Sequence, residues 1–167
     1  MRALALLVLV CVGCGPAGDV PYGAWSRREA ETGAYALRLP IPPWEQDEEG
    51  SGGDRLRFEV PVSDARAARG APPKLTLEVA PASGAARARA EADARGGGSR
   101  LVGPRAFATL DGVEGWETIR YDEADARWLR VAYLPLRGGV LRLAIEGSPE
   151  LEDPEVDALV EAVEVFE

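Results

Sequence analysis

Run after run of this chain alternates apolar and polar residues with a period of two. Leu56, Phe58 and Val60 are interleaved with Arg57 and Glu59, and Leu75, Leu77 and Val79 with Thr76 and Glu78. Leu129, Val131 and Tyr133 alternate with Arg130 and Ala132, and Leu141, Leu143 and Ile145 with Arg142 and Ala144. Successive side chains of a strand point to opposite faces, so this period predicts half-buried β-strands. Tyr35–Leu39 has the same pattern and stops at Pro40-Ile41-Pro42-Pro43-Trp44, while 101–110 and 116–121 are further strand candidates. Short turns at 122–126 and 135–139 join the last three candidates into an antiparallel meander.

Two segments read as helices. Residues 83–95 are rich in alanine and arginine, strong helix formers, with Ser83 placed to cap the start. Their apolar residues are all alanine, so this helix buries little. Near the end of the chain, Asp153 is a suitable N-cap, Pro154 suits the first helical position, and Val156, Leu159, Val160 and Val163 form an apolar stripe. The stripe predicts a helix lying over the sheet face that carries Leu143, Val131 and Phe58. The expected architecture is α+β: one antiparallel sheet of about six strands, with the amphipathic C-terminal helix and the alanine-rich helix packed on it.

The first fourteen residues, MRALALLVLVCVGC, read differently. One basic residue, Arg2, precedes an apolar run of ten from Ala3 to Val12, then Gly13 and Cys14. This is the layout of a secretory signal, and the run is half the roughly 20 residues a spanning helix needs. The small residue before Cys14 resembles the lipobox of bacterial lipoproteins, although Cys11 stands where that pattern usually has leucine. The resemblance implies cleavage before Cys14 and a lipid on its sulfur, which anchors a protein without a spanning helix. Residues 1–13 are then a signal peptide, 14–33 a lipidated cysteine with a Gly- and Pro-rich tether, and 34–167 one domain. Gly15, rather than aspartate, after the cysteine resembles outer-membrane sorting, on the side facing the periplasm.

Composition narrows the chemistry. The net charge is −9, which disfavours a nucleic-acid partner, because phosphate binding rests on clustered positive charge. The chain has no histidine, the commonest general acid–base, and both of its cysteines lie in the leader. Cys11 and Cys14 fit a C-x-x-C spacing, but no second pair completes a metal site. The serines show no G-x-S-x-G elbow, and Lys74 is the sole lysine, at a strand start. Neither a catalytic residue, a cofactor nor a metal ligand is nominated. Paired carboxylates leave a hydrolase open. The loop 45–54 gathers acids beside glycines without the spacing of a calcium loop and reads as a solvated loop. Arg95 to Arg100, with three glycines between, reads as a connector.

One pattern suggests a surface. If the large aliphatic residues mark the core face, Arg38, Arg57, Arg130 and Arg142 fall on the other, with Trp128 beside them and Trp116 and Arg120 on a neighbouring strand. Arg and Trp are favoured interface anchors, so these seven form a candidate docking face for an anionic or aromatic partner. The competing reading is a cross-strand ladder with Glu59, Glu78 and Glu146, or cover by the alanine-rich helix.

The order of elements resembles the PsbP-like superfamily. The likeness is carried by the opening strand running into Leu39-Pro40-Ile41-Pro42-Pro43-Trp44, by the late meander from Gly115-Trp116 through Glu146, and by the closing helix from Pro154 to Val163. It implies a curved antiparallel sheet with helices packed on it. Functions differ among members and metal-binding relatives use histidines, so no site residue is implied. Together these features predict a non-catalytic envelope lipoprotein, held to the membrane by its N-terminal lipid and serving as an accessory module for an envelope protein partner. A small-ligand or metal-binding receptor is the alternative, and a carboxylate-based envelope hydrolase a weaker one.

Overall fold

A computed structural model describes residues 25–40, 44–61, 74–96, 100–123, 127–148 and 154–166. Within them the chain forms β1 (Ser26–Glu29), β2 (Tyr35–Leu39), β3 (Glu45–Gln46), β4 (Leu56–Pro61) and β5 (Lys74–Ala82). Helix α1 (Ala86–Arg95) follows, then β6 (Leu101–Ala108), β7 (Glu114–Asp122), β8 (Arg127–Leu136) and β9 (Gly139–Ser148). Helix α2 (Pro154–Glu161) and β10 (Val163–Val165) complete the described chain.

The strands make two sheets, not the single sheet of about six expected from the sequence. A seven-stranded sheet has the order β3-β4-β5-β9-β8-β7-β6, and a three-stranded sheet the order β1-β2-β10. Every pairing is antiparallel. The molecule is mostly β, with two short helices among the described residues. The correction has a physical cause. A sheet with one apolar face requires a second layer over it, and the sequence offers the C-terminal helix for that purpose. At eight residues, α2 is only about 12 Å long. The uncovered remainder is closed by β2, whose Tyr35, Leu37 and Leu39 are all buried. Phe58, Leu77, Val79, Leu143 and Ile145 form the core with these β2 residues and with Val156, Leu159 and Val160 of α2. Tyr35 ties the layers together: its hydroxyl donates to the carbonyl oxygens of Asp54 (2.7 Å) and Val79 (3.3 Å).

Several local expectations also shift. β1 lies inside the segment read as a tether, so the folded chain begins before residue 34; Cys14 and the leader lie outside the described residues. Helix α1 begins after Ala85, which makes no side-chain cap, and Ser83 instead accepts a hydrogen bond from Arg89 (2.9 Å). Val163, assigned by periodicity to the last helix, opens β10 and still enters the core. Asp153, the expected N-cap, lies outside the described residues.

The opposite face of the large sheet carries α1. Ala90 of this helix packs on Leu129, Val131, Tyr133 and Val140 in a second, smaller core. The Tyr133 hydroxyl donates to Asp93 (2.7 Å), and the Arg87 guanidinium lies over the Trp116 ring at 4.9 Å. β8 is therefore covered on both sides, with Leu129 to Leu134 all buried.

Candidate functional site

The seven residues of the candidate docking face are spread over three surfaces. The hairpin β8–β9 shows why. Its two-residue turn, Arg137–Gly138, pairs Leu136 with Gly139, which brings Ala132 opposite Leu143 and Arg130 opposite Ile145. Directly paired residues share a face, so Arg130 points into the main core beside Leu143, while Leu129 and Val131 point to α1. A reading that put every large aliphatic on one face could not see this register. The turn itself was the available signal, since loop length sets register in a hairpin.

Arg130 is buried there in an ionic chain. Its Nε donates to Glu117 Oε2 (2.6 Å), Arg105 Nε donates to Glu117 Oε1 (2.6 Å), and Arg130 also bonds Asp157 of α2. Glu117, 1 % exposed, thus has both oxygens occupied. Backbone packs closely around it: Gly103 has φ +107, and a Cβ there would lie 2.6 Å from the Glu117 carbonyl oxygen.

Arg57 and Arg142 do lie together, on the α1 side of the sheet. Arg142 approaches Glu78 (3.8 Å), and Arg57 is directly opposite Glu78 while pairing with Asp47 (3.2 Å) and Glu59 (3.4 Å). Trp116 sits on that same face beneath Arg87 of α1, and Arg120 is half-buried four residues further along β7. Trp128 packs against Tyr121 with the rings tilted by 58° and their centroids 5.0 Å apart. Arg38 belongs to the outer face of the small sheet, where Glu164 accepts from both Arg38 (2.6 Å) and Arg27 (2.8 Å). Burial alone would raise the Glu164 pKa; the two arginine hydrogen bonds outweigh it and hold the carboxyl below its usual range.

The acidic loop is also engaged. Glu45 and Gln46 pair with β4, and Asp47 accepts from the Gly50 N–H (3.0 Å) as well as meeting Arg57. Among the described residues, no group of three acidic, histidine or cysteine side chains is disposed to hold a metal ion.

Sequence reasoning missed a large concavity. Where the β8–β9 turn meets the end of β10, Val113, Pro135, Leu136, Arg137, Val165 and Phe166 line an open groove of about 580 Å³. That volume lies within the usual 300–1,000 Å³ of ligand pockets. Among the described residues its walls are apolar apart from Arg137, which is exposed and has no hydrogen-bond or ion-pair partner within them. Val113 and Val165 also pack against the main core, so two of the walls rest on the core. Residues from three distant parts of the chain meet here, which is why no local pattern announced the site.

No family model and no curated protein matches the chain. A solved structure from Bacteroides thetaiotaomicron VPI-5482, determined at 1.50 Å, is similar with a TM-score of 0.42 and 10 % identity. The match covers 86 % of this chain and 49 % of that one, so the chain spans about half its length. A likeness of this degree assigns neither fold nor function.

Proposed function

We propose that this chain is a non-catalytic lipoprotein of the bacterial envelope, anchored through Cys14 and acting as an accessory module that docks an envelope protein in the groove beside Arg137. The groove carries the reading: it combines apolar walls with a cation that has no partner among the described residues, in a protein of net charge −9. Aromatic and arginine anchors of this kind dominate protein interfaces. The basic residues first nominated as a docking face support it less, since Arg38, Arg57, Arg130 and Arg142 already have acidic partners.

Two measurements test the proposal. Native protein should begin at Cys14 and carry added lipid mass; a product starting upstream, or without lipid, removes the anchor. A photo-crosslinker at Leu136 should give one discrete adduct in cells, lost with Arg137→Glu, whereas the same group at exposed Ala88 on α1 gives none. Equal adducts at both positions would count against the groove. The size of the groove also favours a second reading, a small-ligand receptor, in which added ligand raises the melting temperature of the isolated protein.

A further inference from the structure

The edge of β10 gives the groove a second property. Arg38 N–H donates to the Ala162 carbonyl (3.3 Å) and Phe166 N–H to the Ala34 carbonyl (3.0 Å), with Glu164 directly opposite Ala36 between them. In an antiparallel pair, the residues between such bonded positions turn their N–H and C=O groups away from the partner strand. Those residues are Val163 and Val165. Because β10 is the edge strand of its sheet among the described residues, these backbone groups point away from β2; Val163 is itself buried at 1 % exposure, whereas Val165 is half-buried and a wall of the groove. Among the described residues, no backbone hydrogen bond reaches β10 from that side. The loop Thr109–Val113, tied by Leu110 N–H to the Glu161 carbonyl (2.9 Å), stands at the α2 end of this edge. The Val165 end faces the groove.

Among the described residues a strand edge, apolar walls and a guanidinium without a partner therefore coincide. The geometry points to an extended peptide segment of a partner protein as the occupant. It adds as a strand to β10, sets apolar side chains against Leu136 and Phe166, and places a carboxylate against Arg137. This rests on the reading of the groove as a partner site and specifies the chemistry of the partner. A single-chain lipid would use the walls and Arg137 but leave the Val165 N–H and C=O unmatched. A peptide backbone matches both, as in other cases of strand addition.

The test uses the lipidated protein in nanodiscs and a fluorescent six-residue peptide of alternating valine and threonine with one glutamate. Binding is expected below about 1 mM, with slowed hydrogen exchange at the Val165 amide. Arg137→Glu should weaken it about tenfold or more, as loss of a charge-assisted hydrogen bond does. Val165→Pro removes an N–H that β2 does not use, a position where an edge strand tolerates proline, and should abolish binding. The same peptide methylated on alternate backbone nitrogens should not bind the unaltered protein, a control independent of how the proline variant folds. Equal binding of the methylated peptide overturns strand addition, as does no binding of the parent peptide. Arg137-dependent binding of decanoate in place of the peptide also overturns it and assigns the groove to lipids. Peptide binding in vitro without a Leu136 adduct in cells would instead leave the strand site standing and remove the proposed cellular role.

Discussion

Glu117 and Arg130 meet inside the main core, at 1 % and 8 % exposure. Removing one member of a buried ion pair leaves the other charge desolvated and uncompensated, which costs about 3–5 kcal/mol. Arg130→Ala and Glu117→Ala should therefore each lower the unfolding free energy measured by denaturant titration by an amount in that range. The pair Glu117→Leu with Arg130→Met should recover most of the loss, because no buried charge remains between them. Equal losses in the single and double variants would show that packing, not charge, is what the pair supplies. Alternation placed Arg130 on the face away from the core, so its burial was not legible in the sequence. Nor was its partner, since Glu117 lies thirteen residues away and meets it only through the β7–β8 register, in which Glu117 is opposite Ala132.

At the scale of an element, α1 is held by small contacts. Its one buried residue is Ala90, so the Tyr133–Asp93 hydrogen bond and the Arg87–Trp116 contact matter in proportion. Tyr133→Phe should cost about 1 kcal/mol and speed hydrogen exchange in α1 more than in β9. The effect depends on pH in a definite direction. Burial, followed by the Asp93 carboxylate, raises the Tyr133 pKa above its ordinary 10.0. A raised pKa favours the protonated form in the folded state, so this contribution is complete below pH 10 and declines as pH rises through the folded value. The stability gap between wild type and Tyr133→Phe should thus be wider at about pH 8 than at about pH 11. An alanine-rich helix of low burial was evident from composition. That it covers Trp116 stood only as one of two competing readings, and that it covers Leu129 was not foreseen, because alternation shows that a strand has two faces without saying what covers each.

At the scale of the whole molecule, two sheets close on one core, and the small sheet also carries the edge beside the groove. Glu164 helps hold that sheet by bridging Arg27 of β1 and Arg38 of β2 from β10. Its pKa is lowered, so its contribution is present above the ordinary carboxylate value of 4.5 and is lost as pH falls through the lower folded value. The stability difference between wild type and Glu164→Gln should shrink as pH drops below 4.5; a difference constant with pH would mean that the bridge adds nothing through charge. Period-two alternation determined by itself where seven strands lie, because side-chain direction along a strand is a property of consecutive residues. Helical spacing at i, i+3 and i+4 likewise supplied the stripe that places Val156, Leu159 and Val160 in the core. Only the tertiary structure decided the division into two sheets, the burial of Arg130 and the groove at Arg137. Each of these depends on which strands pair and in what register, and pairing joins residues that the sequence sets far apart.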